Sequence, residues 1–253
     1  SDISGATAPR ASPGRHRSGP AKDAAVDWFD ITLRWYLVTT VVTLGLAPIA
    51  LLFGPKTYDW GVFMARPLAM LAFLWPAWFL SALGGVPSPS TTLWITTGVV
   101  AVAGWALVWR KGLLHLRLFG HLAGAETAHL VAFTLFLWFR GFGPDANFQE
   151  KPSDLMMLAS TMQSSSVPPA DAWLAGEPVN YYYLGYALWG GLGKMAGAAP
   201  SEAYTLALVS TAALTLSIVV GTVANVLARW YQGMVARIGG LTAGIVTLML
   251  GTP

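Results

Sequence analysis

The sequence predicts an all-α protein, a polytopic transmembrane helical bundle, and three observations predict it. Of 253 residues, 55% are apolar and only 11% are charged, against roughly a quarter charged in a soluble domain. Several uncharged runs reach the ~20 residues needed to cross about 30 Å of hydrocarbon. Tryptophans bracket at least one of these runs, Trp94 and Trp109, as interfacial anchors do.

Taken in order, residues 1–27 are rich in Ser, Pro, Gly and Ala and carry Arg10, Arg15, Arg17 and Lys22. With no apolar periodicity, they are expected to form a disordered basic tail, either solvated or resting on anionic lipid. Residues 28–253 then read as one transmembrane domain of about seven spans: 28–53, 61–83, 91–109, 120–139, 182–198, 203–228 and 235–250. Gly54-Pro55-Lys56 and the stretch from Gly84 to Pro89 punctuate the first two. The fifth and seventh are short for a crossing. Gly193 with Gly197, and Gly240 with Gly244, have the spacing that lets membrane helices approach closely. The chain begins at Ser1 and stops at Pro253, directly after an apolar run, so a piece of a longer or processed protein is expected.

Composition also excludes. Cysteine is absent, which removes disulfides, thiolate catalysis and Cys-bound zinc. The net charge of +3 comes from scattered basic residues without interleaved stacking aromatics, so no nucleic-acid partner is expected. Membrane lipid is the expected surrounding. Lys and Arg are divided between both sides, and the positive-inside rule orients the bundle weakly. Counting short loops alone puts the basic 110–117 connection inside and the 141–180 loop outside.

That loop is where chemistry is expected. It holds Asp145, Glu150, Asp154, Asp171 and Glu177, five of the chain's twelve carboxylates. Loops of such length are functional or disordered. Five prolines, and apolar residues such as Phe148, Leu155, Met157 and Trp173, favour an ordered extramembrane segment with a short interfacial helix over 155–162. In Glu150-Lys151-Pro152-Ser153-Asp154, the two carboxylates and Lys151 can share a site as general base, cation or divalent-metal ligands. The competing reading makes Asp154 a helix cap or a partner of Lys151. Arg140 stands at the loop mouth, where it meets an anionic group or snorkels. Asn180, Tyr181, Tyr182 and Tyr183 open the following run. Tyrosines there anchor at the interface or turn a phenol toward a phosphate or sugar hydroxyl. Glu126 and His129 share one face of the fourth span. They are ionisable groups inside a membrane segment but lack the spacing of a zinc helix.

Several of these residues carry a resemblance. The run from Pro168 to Gly176, then Asn180-Tyr181-Tyr182-Tyr183-Leu184-Gly185-Tyr186, resembles the YYY membrane protein family, as do Glu126, Arg140, Glu150-Lys151 with Asp154, and residues 203–208. The resemblance covers about residues 126–214. Leu184 and Thr205 stand where that family more often has Phe and Asn. The family in turn resembles the GT-C membrane glycosyltransferases in layout. The resemblance implies sugar transfer from a polyprenyl-phosphate donor in a multi-pass protein of the cell (plasma) membrane. Asp154 or Glu150 would be the catalytic base, and Arg140 or Lys151, with or without Mg²⁺ or Mn²⁺, would neutralise phosphate. Asn180, Tyr181, Tyr182 and Tyr183 would hold substrate, and Asp171, Glu177 and Trp173 would order the loop. A non-enzymatic scaffold or transporter subunit is the alternative.

Overall fold

The computed structural model describes residues 21–54, 57–143, 150–180, 182–231 and 233–250. The predicted tail therefore lies, for residues 1–20, outside the described residues, as do Asp145, Phe148 and Tyr181. Helix α1 (Ala21–Leu46) already starts ahead of the first predicted span and continues through α2 (Pro48–Leu51). There follow α3 (Val62–Gly84), α4 (Ser90–Arg110), α5 (Leu116–Arg140), α6 (Lys151–Gln163), α7 (Leu184–Ala196), α8 (Pro200–Leu227) and α9 (Met234–Leu250). Among the described residues no strand forms, which agrees with the predicted class.

Among the described residues, five stretches are long and apolar enough to cross a membrane: Trp28–Leu51, Val62–Gly84, Ser90–Arg110, Leu118–Arg140 and Pro200–Leu227. Helix α9 is apolar but shorter. The expected seven spans are thus five long ones, and the fifth predicted span is the clearest difference. Its helix α7 has 13 residues and rises about 20 Å, well short of the hydrocarbon thickness.

Contacts place both ends of α7 on one face. At its start, the Tyr183 hydroxyl accepts a hydrogen bond from Trp78 Nε1 at 3.0 Å, near the end of α3. Past its middle, Lys194 Nζ donates to the Ser164 carbonyl at 2.6 Å, just beyond α6. The Ser165 carbonyl accepts from the Ser88 amide at 2.6 Å, in the α3–α4 connection. The opposite face is pinned separately. There Asn225, at the end of α8, accepts the Tyr58 amide at 2.8 Å and donates to Asp59 at 2.8 Å. Trp60 packs edge-on to His115, ahead of α5. So α8 leaves from the face where α5 ends. We call this the loop face; α6 and α7 both belong to it.

Close approach follows the small residues, as membrane packing requires where lipid is as apolar as the side chains. A Cβ on Gly193 would stand 2.9 Å from Met162 and 3.1 Å from Ala203. One on Gly240 would stand 2.6 Å from the Val220 carbonyl. Gly197 acts through its backbone instead. It ends α7 in the left-handed conformation, φ 71°, which favours a residue without Cβ.

The absence of cysteine makes the topology directly testable. Single variants Ser165→Cys and Ala198→Cys are expected to label from the same side of sealed vesicles, and Lys111→Cys from the other. Labelling of Ala198→Cys together with Lys111→Cys would mean that α7 crosses after all.

Candidate functional site

Residues 150–180, between α5 and α7, fold back on the bundle. Residues 169–179 close into a narrow loop through the Val179 amide on the Pro169 carbonyl (2.9 Å) and the Asp171 amide on the Glu177 carbonyl (2.8 Å). Inside it, the Asp171 carboxylate accepts the amides of Trp173 (2.7 Å) and Leu174 (3.1 Å), the turn an Asp favours at a chain reversal. Glu177 enters through its backbone, and the Trp173 indole is exposed. Ser81, near the end of α3, accepts the Val167 amide at 2.9 Å. Pro169, Leu158 and Val179 are buried beneath.

Helix α6 begins just after Glu150, one turn before Asp154. The two carboxylates differ in surroundings. Glu150 is exposed, whereas Asp154 is half-buried and accepts a hydrogen bond from the Tyr186 hydroxyl at 2.5 Å. Burial, reinforced by the Asp154 carboxylate, holds the Tyr186 phenol above its ordinary range, so it remains a donor at neutral pH. Tyr182, one turn earlier, lies with its ring tilted 37° to that of Tyr186, centroids 6.2 Å apart. Asn180 is exposed, Lys151 is half-buried, and the Tyr183 hydroxyl is turned to Trp78.

Next to Leu155, the residue after Asp154, lies a cleft of about 290 Å³ between the ends of α1, α5, α6 and α8. Trp28, Leu137 and Leu155 make its apolar wall; Arg140, Ser201, Tyr204 and Thr205 complete it. Arg140 and Tyr204 both line the cleft, so a cation and a phenol meet here, and Asp154 directly precedes Leu155 of its wall. Tyr186, Tyr204 and Trp28 escape local sequence reasoning. The signal that finds Tyr186 is its i, i+4 spacing from Tyr182. Among the described residues no group of three His, Asp or Glu gathers to hold a metal.

A second polar centre lies inside the bundle, away from the cleft. Arg66 of α3 is buried and pairs with Glu126 of α5. It also donates to Thr40 (2.8 Å) and Thr39 (3.2 Å) of α1 and lies 5.3 Å over the Tyr36 ring. His129, buried beside Tyr36, reaches Ser217 of α8 at 3.4 Å. Glu126 is therefore an internal partner rather than an interfacial one.

Residues 72–253 match the family described as "Uncharacterized membrane protein (DUF2298)". The chain belongs to this family. It is an integral membrane protein, and the matched residues include α6, α7, the tyrosine triplet, Arg140 and Asp154, while Arg66 and the start of α3 precede them. No curated protein and no solved structure matches the chain.

Proposed function

We propose that this family member is a GT-C-like glycosyltransferase of the cell membrane that takes a sugar from a polyprenyl-phosphate donor at the loop face. The observation that carries the reading is the composition of the 290 Å³ cleft. An apolar wall opening from the bundle suits an isoprenoid chain, and Arg140 at its rim suits the phosphate attached to it. Asp154, held by Tyr186, directly precedes Leu155 of the apolar wall.

In this reaction an acceptor hydroxyl attacks the anomeric carbon. A new carbon–oxygen bond forms there as the bond to the donor phosphate breaks. The phosphate leaves with the bonding electrons, and the hydroxyl proton passes to Asp154. Arg140 neutralises the charge that develops on the leaving phosphate. Glu150, exposed at the start of α6, becomes the weaker of the two candidate bases. Asn180, Tyr182 and Lys151, in the segment and helices around the cleft, are assigned to positioning donor or acceptor. Tyr183 serves through its bond to Trp78, which fixes the start of α7.

Transport is the reading that the Arg66–Glu126 pair favours, since charges buried within a bundle mark ion or substrate paths. That pair, however, is tied to Thr39, Thr40 and Tyr36, and such closure suits a lock better than a path.

The test supplies labelled polyprenyl-phosphate sugar to the full-length protein in proteoliposomes. Wild type and Glu150→Gln are expected to consume it and Asp154→Asn to fail. Equal consumption by all three would remove the carboxylates from catalysis.

A further inference from the structure

The other end of α6 carries a second cation that the proposed reaction does not use. Lys194 of α7 is half-buried, and among the described residues no carboxylate pairs with it. Its hydrogen bond to the Ser164 carbonyl engages one of three ammonium hydrogens. The remaining two are available toward an open depression of about 610 Å³ that Lys194 lines together with Ser90, Gln163, Ser164 and Ser165. Burial lowers the Lys194 pKa from its ordinary range, which is the cost of a cation without a counter-charge. The depression also receives the start of α4. That 21-residue helix begins at Ser90 behind Pro89, with no side-chain cap and no acidic residue in its first turn. Its first amides and its dipole therefore add to the positive potential around Lys194.

We propose that this depression is a phosphate-binding site, distinct from the Arg140 cleft, in which Lys194 is the principal cation and Ser90, Gln163 and Ser165 supply neutral hydrogen bonds. Leu155 lies at the cleft and Gln163 at the depression; eight residues of helix separate them by about 12 Å. Both open on the loop face. A phosphate can come from an anionic lipid headgroup or from solution, and the site chemistry is the same for both.

The experiment reads Lys194 itself in the wild-type protein. Full-length chain is reconstituted in phosphatidylcholine vesicles, in vesicles containing phosphatidylglycerol, and in phosphatidylcholine vesicles with inorganic phosphate. Amines are acetylated briefly with a membrane-permeant reagent and quantified residue by residue, with Lys111, exposed at the end of α4 and outside both sites, as internal reference. Lys194 acetylation relative to Lys111 is expected to fall at least about fivefold in one of the two phosphate-bearing conditions. Protection by phosphatidylglycerol alone identifies a headgroup site; protection by inorganic phosphate identifies a site for phosphate from solution. An unchanged ratio in both overturns the proposal. In parallel, Lys194→Gln is expected to lose, and Lys194→Arg to keep, selective retention of phosphatidylglycerol or phosphate by the purified protein. Equal retention by wild type and both variants likewise overturns it.

Discussion

Asp154→Asn is expected to reduce sugar transfer by about 10²- to 10⁴-fold, the usual contribution of a positioned general base, with little change in folding. Asparagine keeps the size of the side chain and can still accept from the Tyr186 hydroxyl, so the Asp154–Tyr186 contact is retained while the proton acceptor is lost. Tyr186→Phe makes the complementary change. It leaves the carboxylate and removes its hydrogen-bond donor, and transfer should fall by roughly 10- to 100-fold, the range for a hydrogen bond to a charged group. Steady-state rates in proteoliposomes check both. A Tyr186→Phe effect as large as that of Asp154→Asn would show that the phenol is as essential as the carboxylate and not merely its support.

Arg66→Ala is expected to be the most damaging single change to stability, by about 3–5 kcal/mol. Removing the guanidinium leaves the Glu126 carboxylate inside the bundle without its partner and deprives Thr39 and Thr40 of their donor. Glu126→Ala should be similarly harmful, because it strands the arginine. The double variant Arg66→Met with Glu126→Leu should be markedly milder than either single change, since no uncompensated charge remains. Thermal unfolding of the detergent-solubilised protein distinguishes these outcomes. Additive losses in the double variant would mean that the two residues act separately.

How far the sequence reveals this molecule depends on the range of each interaction. Apolar runs are local, and the long spans are legible because each run must itself satisfy the hydrocarbon thickness. Helix α7 misleads because the stretch over 182–198 is apolar for another reason. Its glycines let it pack against α6 and α8, as Gly193 does on Met162 and Ala203, and Gly197 ends it after 13 residues. Arg66 falls inside the second predicted span, 61–83, where nothing local marks its partner. Its counter-ion is 60 residues away, beyond any local period. The same holds for Asp154 and Tyr186, 32 residues apart, and for the meeting of Arg140 with Tyr204. What sequence does expose is the concentration of carboxylates and prolines between α5 and α7, because both are denser in that short segment than along the rest of so apolar a chain.

The central claim, that a lipid-linked phosphate sits in the cleft between α1, α5, α6 and α8, is tested most directly by photo-crosslinking. A polyprenyl phosphate bearing a diazirine on its isoprenoid chain is bound to the full-length protein, irradiated, and the adducts are mapped. Adducts are predicted on Trp28, Leu137 and Leu155, the apolar wall of the cleft, displaced by unlabelled polyprenyl phosphate and lost in Arg140→Ala. Adducts confined to the lipid-facing surfaces of α4 and α9, or undiminished in Arg140→Ala, would contradict it.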